Sequence, residues 1–188
     1  MHEQKLIDLL RTGSESAFQQ LLNTHKNKVI NTCFKFLLSK EDAEDIAQEV
    51  FIEVFQSIKE FRGDASLNTW IYRIAVTKSL DEIKKRKRKK RITSLGKLIG
   101  LEKVAEYFAG NHSADFIVDQ KEQIILITQA LDKLPDSQRI AYTLSKVDGF
   151  TNQEIAQIMD TNISSIESLI KRAKKKTIEE LTKQNKII

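Results

Sequence analysis

The sequence predicts an all-α chain made of two small helical domains joined by a flexible linker. Three observations predict it. Glycine (6) and proline (1) are scarce in 188 residues, so the chain lacks the turn punctuation of a many-stranded protein. Apolar residues, 40% of the chain against 30% charged, recur with helical rather than alternating spacing. The helical stripes break down between Ile92 and Phe116, where Gly96, Gly100, Gly110, Asn111 and Ser113 interrupt them. A structureless stretch of that length is unusual inside one compact domain. Residues 1–91 and 117–188 are therefore expected as separate domains on either side of a linker at 92–116.

The first expected helix follows Gly13 and is capped by Ser14, with Phe18, Leu21, Leu22, Val29, Cys33, Phe36 and Leu37 along one side. The second starts at Ser39-Lys40-Glu41-Asp42, a capping-box pattern. Behind it, Ala43, Ile46, Ala47, Val50, Phe51, Val54, Phe55 and Ile58 form one stripe over more than four turns. Between Ser39 and Glu60 seven acids face two bases, so the outer side of this helix is acidic. A loop, Phe61-Arg62-Gly63-Asp64-Ala65, leads to a third helix capped by Ser66 and carrying Leu67, Trp70, Ile71, Ile74, Ala75 and Ile83. It runs into eight consecutive cations, Lys84 to Arg91.

In the second domain, Ile124, Ile127, Leu131 and Leu134 form a stripe stopped by Pro135. A helix from about Asp136 carries Ile140, Ala141, Leu144 and Val147 and ends at Gly149. Thr151-Asn152-Gln153-Glu154 is a second capping box, opening a short helix with Ile155, Ala156, Ile158 and Met159. Asp160-Thr161-Asn162 breaks the chain before a last helix with Ile163, Ile166, Ile170 and Ala173, expected to reach about Leu181.

Two helices joined by so short a turn are a helix-turn-helix, a double-stranded DNA reader. Ala156 is small enough for the helix crossing, Asp160 tolerates the left-handed turn position less well than glycine, and Asn162 caps the second helix. Lys171, Arg172, Lys174, Lys175 and Lys176 supply cations for phosphate, while Ser164, Ser165 and Ser168 lie nearer the helix start, where base edges are read. The plainer alternative is a helical hairpin with a solvated basic face. The acidic face at Asp42–Glu53 would repel DNA, so it is either a solvated surface or a docking face for another protein. Trp70 and Tyr72, followed by Arg73, Lys78 and the basic run, fit single-stranded DNA. Core packing of Trp70 is an equal alternative.

Composition narrows the setting. One cysteine, Cys33, permits no internal disulfide and fits a reducing compartment as a buried small residue. His2, His25 and His112 are too dispersed for a metal site, and no phosphate-binding loop or nucleophile–base constellation is present. No cofactor, metal or catalytic residue is expected. Neither is membrane insertion, because no apolar run approaches the ~18 residues a span needs, and His2–Lys5 begins the chain without a signal-peptide core.

Three strings also carry a resemblance. Asp42-Ala43-Glu44-Asp45-Ile46-Ala47-Gln48-Glu49-Val50-Phe51 resembles the polymerase-binding segment of sigma-70-family transcription initiation factors. Phe61–Ala75 resembles their promoter-melting and minus-ten segment. Leu134-Pro135, Arg139, Asp148–Thr151, Glu154–Ala156 and Lys171–Ala173 resemble their minus-thirty-five domain. Size and layout resemble the extracytoplasmic-function (ECF) group. The resemblance implies a cytoplasmic bacterial protein that is not an enzyme, is a monomer when free, and binds core RNA polymerase and promoter DNA. It further implies control by an anti-sigma factor.

By that resemblance, Asp42, Asp45, Gln48 and Glu49 would face the clamp helices of the large polymerase subunit, with Phe51 beneath them. The loop with Arg62, Asp64 and Ser66 would hold a flipped minus-ten base. Trp70, Arg73, Thr77, Lys78, Asp81, Lys84 and Lys85 would line the opened strand. Thr151, Ser164, Ser165, Ser168, Lys171, Arg172 and Lys175 would bind the minus-thirty-five element. Asp160 departs from the family's usual turn glycine, and Glu167 and Leu169 stand where cations are common. A dimeric helix-turn-helix regulator with palindromic sites is the competing reading; a nuclear interaction protein using the basic run for localisation leaves the first two strings unexplained.

Overall fold

A computed structural model describes residues 3–92 and 129–185, and every regular element among them is helical. In order these are α1 (Glu3–Arg11), α2 (Glu15–Leu37), α3 (Lys40–Ser57), a 3-10 turn (Ile58–Glu60), α4 (Leu67–Ile92), α5 (Asp136–Lys146), α6 (Asn152–Ile158) and α7 (Ile163–Asn185). Residues 129–132 are also helical. Most of the expected linker, 93–116, and the stripe positions Ile124 and Ile127 lie outside the described residues.

The helix starts follow the polar caps. The Ser14 hydroxyl accepts from the Ala17 amide, Ser39 from Asp42 (3.4 Å) and Ser66 from Thr69 (3.1 Å). At Ser39 only half of the expected capping box forms, because the Asp42 carboxylate turns away to pair with Arg86 of α4. The box at Thr151 is complete: Thr151 Oγ1 accepts from the Glu154 amide at 3.2 Å, and Glu154 returns to the Thr151 amide at 2.8 Å. Asn162 Oδ1 accepts from the Ser165 amide at 2.8 Å and opens α7.

α1 departs from the expectation that the first helix follows Gly13. It is only nine residues long, yet it buries Ile7 and Leu10. α7 continues past the expected Leu181 to Asn185.

In the N-terminal half, α2, α3 and α4 pack around Leu21, Val29, Phe36, Val50, Val54 and Ile71, all essentially inaccessible. In the C-terminal half, α5, α6 and α7 enclose Ile140, Leu144, Ile155 and Ile166. Each such burial stabilises by about 1.5–3 kcal/mol relative to exposure. The two halves also touch: one continuous apolar cluster runs from Ile7 to Ile166, with α4 against α6 and α2 against α5. Leu131, Leu134 and Ala173 form a separate small cluster with Tyr142 at its edge.

Candidate functional site

Three surfaces gather the residues singled out above. The first lies on α2 and α3. Asp45, Gln48 and Glu49 are exposed at i, i+3 and i+4, and Ile52 continues the row at i+7. Phe51 is buried beneath them. Beside the row a groove of about 930 Å³ opens between the two helices, lined by Phe18, Leu22, Ile30, Ala47, Phe51 and Phe55, with Gln48 at its edge. Ile52 and Phe55 are both 56% exposed, unusually high for large apolar side chains. Phe55 meets Phe18 edge-on, with centroids 5.2 Å apart. Sequence reasoning placed Phe55 on the core stripe; the structure leaves it on the rim. Its signal was present, since Gln48, Phe51 and Phe55 follow one another at i+3 and i+4.

The acids divide by role. Asp45 stands exposed, whereas Asp42 is tied to Arg86. Glu49 and Glu53 both reach Lys78 of α4, at 3.5 and 2.9 Å. The hydrogen bond that Lys78 donates to Glu53, and the charge of both carboxylates, raise the Lys78 pKa above the ordinary lysine value. Lys78 therefore braces α4 against α3.

The second surface is the loop after the 3-10 turn and the outer side of α4. Arg62, Asp64 and Ser66 are exposed. A pocket of about 210 Å³ is walled by Phe61, Arg62, Gly63, Asp64, Thr69 and Trp70. Gly63 has φ +81°, a left-handed backbone at which a side chain would be strained. Trp70 is half-buried against Phe61, 5.1 Å between centroids, so it packs on one face and opens on the other. Arg73, Thr77, Asp81, Lys84 and Lys85 continue along the exposed side of α4. Asp81 pairs with Lys84 at 3.1 Å, and Lys85 with Glu82 at 3.1 Å. Tyr72, paired in the sequence reading with Trp70 as a base-stacking aromatic, is instead buried. Burial pushes its phenol pKa up to about 12. Its ring meets Phe150 edge-on at 4.6 Å, in the contact between the halves.

The third surface is the helix-turn-helix, α6 and α7. Ala156 is buried at the crossing. Asp160 takes the left-handed turn position, φ +51°, and its carboxylate meets Arg73 of α4 at 3.1 Å. Along α7, Ser164, Lys171, Arg172 and Lys175 are exposed and Ser165 and Ser168 half-buried, on one side of the helix. Glu167 is exposed among them, whereas Leu169 packs against the core. Thr151 is engaged in its capping box.

A buried polar contact also joins the halves. Lys35 and Asp148 pair at 3.3 Å with side chains only 13% and 9% exposed. Burial raises the Asp148 pKa, opposed by the charge of Lys35 and the hydrogen bond it donates. Among the described residues no group of histidines, cysteines and acids could hold a metal ion, and no helix is long and apolar enough to cross a membrane.

Comparison with known proteins adds to this geometry. The family description "Sigma-70 region 2" matches residues 21–89, which hold the second surface and all of the first but Phe18. "Sigma-70, region 4" matches residues 124–177, covering the third. Among curated relatives, the RNA polymerase sigma-H factor of Pseudomonas aeruginosa is 27% identical over 92% of this chain and 90% of its own. The ECF RNA polymerase sigma-E factor of Haemophilus influenzae is 29% identical over 92% and 91%. The ECF sigma factor SigW of Bacillus subtilis is 29% identical over 90% and 91%. Among solved structures, CnrH in complex with the cytosolic domain of CnrY matches with TM-score 0.69 at 19% identity, over 96% of this chain and 97% of that one. The sigma factor RpoE of Bartonella quintana, in complex with the anti-sigma factor NepR, matches with TM-score 0.69 at 21% identity, over 88% and 96%. Likeness to these structures speaks for the fold.

Proposed function

The chain belongs to the sigma-70 family, in its extracytoplasmic-function group, and from that premise we propose how its three surfaces divide the work. A sigma factor binds core RNA polymerase, directs it to specific promoters and promotes DNA opening. Its part is regulatory: we assign it no catalytic residue and place its action with polymerase in the bacterial cytoplasm. Residues 1–91 form the polymerase-binding and minus-ten domain, 92–116 the linker, and 117–188 the minus-thirty-five domain.

The observation that carries the polymerase assignment is the exposed row Asp45, Gln48, Glu49 beside an apolar groove with Ile52 and Phe55 at its rim. An acidic edge flanking an open apolar channel fits the clamp helices, as helices seated by apolar anchors with basic residues at the margin. Asp42 supports this surface from inside through Arg86, and Phe51 supports it from beneath. The pocket at Arg62–Ser66 with Trp70 suits one flipped base, held by stacking and polar edges. Thr77, Asp81, Lys84 and Lys85 follow the opened strand. Ser164, Ser165 and Ser168 approach base edges of the minus-thirty-five element, with Lys171, Arg172 and Lys175 on its phosphates and Thr151 at the entry of the motif. An anti-sigma factor is the proposed regulator, and the free chain is a monomer.

The test is run-off transcription with core polymerase on the promoter of the protein's own gene. The wild-type chain gives a promoter-specific transcript. Asp45→Lys with Glu49→Lys gives none and no longer co-purifies with core polymerase, while its helical content stays unchanged. Undiminished co-purification would sink the assignment of this surface.

A further inference from the structure

The loop assigned to the flipped base does little to hold its own shape. Among the described residues, Arg62–Ala65 form no backbone–backbone hydrogen bond, and Arg62, Gly63 and Asp64 are exposed. Both ends of this loop are instead tied to α1, which lies outside the family match at 21–89. At the entry, Arg11 in the last turn of α1 donates through Nη2 to the Phe61 carbonyl at 2.5 Å. At the exit, the Glu3 carboxylate in the first turn accepts from the Leu67 amide at 2.6 Å, satisfying one of the open donors at the start of α4. The two ties are eight residues apart on a helix, so about 12 Å apart.

These ties have support behind them. Ile7 and Leu10 anchor α1 in the core, and α1 packs on α2 and the 3-10 turn. Asp8 pairs with Arg11 at 3.5 Å and steadies its head group. The Phe61 carbonyl that Arg11 holds belongs to the residue whose ring packs on Trp70 at the pocket wall. α1 thus spans the two feet of the loop like a splint, and the chain between them carries the pocket.

We propose that Arg11 and Glu3 are positioning residues for promoter opening: through α1 they set the spacing and tilt of the Arg62–Ser66 loop and thereby its grip on the unpaired base. The inference rests on the reading of that loop as the base-binding element. Neither residue touches DNA itself; each acts through the backbone of Phe61 or Leu67.

The experiment uses the full chain assembled with core polymerase and a single-stranded non-template oligonucleotide spanning the minus-ten element of the promoter mapped by run-off transcription. Arg11→Met and Glu3→Ala each lower affinity for this strand about tenfold, the scale of one charge-assisted hydrogen bond. Permanganate reactivity of unpaired thymines falls in parallel. Affinity for core polymerase stays at the wild-type value, and the melting temperature falls by no more than a few degrees. Glu3→Gln, which keeps an acceptor, and Arg11→Lys, which keeps a donor, recover most of the loss. Arg62→Ala and Asp64→Ala serve as the loop controls. If these lower strand binding while Arg11→Met and Glu3→Ala do not, the positioning role is overturned and the loop reading stands. Equal loss of core binding or stability in the α1 variants also overturns it, since α1 would then be merely structural. No effect from the loop controls themselves would remove the reading and the inference together.

Discussion

Cys33 shows how a single side chain is set by what surrounds it. It is wholly buried between α2 and α4, where its Sγ accepts from the Ser79 hydroxyl at 3.7 Å. Burial pushes the thiol from an ordinary 9.0 up to about 12, against the lowering effect of the Ser79 hydrogen bond. The thiolate is the reactive form, so native Cys33 should resist alkylation by iodoacetamide at pH 9 and react once the chain is unfolded. Rapid labelling of the folded protein would contradict its burial. The sign for stability follows from the raised value. Its contribution is full below the unfolded pKa of 9.0 and is lost as pH rises toward about 12, because the unfolded chain releases the proton first. Equilibrium unfolding between pH 8 and 11 should therefore show stability falling with pH, less steeply in Cys33→Ala.

Elements were legible where a local polar group decides their boundaries. Ser14, Ser39, Ser66, Thr151 and Asn162 each sit in front of an apolar stripe, and each caps the helix it precedes. α6 depends on this most, since seven residues are too few to persist without tertiary packing and good ends. Thr151→Ala should destabilise the C-terminal half by about 1 kcal/mol, with Thr151→Ser restoring most of it, read by amide exchange on α6. Unchanged protection there would show that packing of Ile155 and Ile158 alone holds the helix. α1 was not legible because its apolar positions, Leu6, Ile7, Leu9 and Leu10, cover barely two turns, too few to establish a period. The inward turn of Tyr72 was signalled more faintly. Tyr72, Ile74, Ala75 and Val76 are all buried, so this part of α4 is apolar on more than one side. A helix buried all round needs neighbours on several faces, and the second neighbour is the C-terminal half. The loop pocket was legible in its residue types, but its ties to α1 join positions fifty and more residues apart and leave no local pattern.

At the scale of the whole molecule, the contact between the halves sets a condition on function. Phe150 packs on Tyr72, Asp148 is held by Lys35, Lys87 pairs with Asp136, and Asp160 meets Arg73 on the proposed minus-ten face. The pairs are not equal. Asp160 is 87% exposed and its bond to Arg73 contributes little, whereas Phe150 and the Lys35–Asp148 pair are buried and hold the arrangement. Elements near minus ten and minus thirty-five lie roughly 25 base pairs apart, or roughly 85 Å at about 3.4 Å per base pair. Halves in direct contact cannot reach both at once. On the proposed assignment of the two halves to these elements, promoter engagement requires Phe150 to leave Tyr72 and Asp148 to leave Lys35. With dyes on cysteines replacing the exposed Lys59 and Lys174, energy transfer should be high in the free chain and fall when core polymerase and promoter are added. Cys33, being buried, stays unlabelled. Phe150→Ala should lower transfer in the free chain already, because the edge-on ring contact is lost while the polar pairs remain. If that variant keeps the wild-type transfer, the ring does not hold the halves together, and the Lys35–Asp148 pair with the rest of the shared apolar cluster accounts for the closed arrangement.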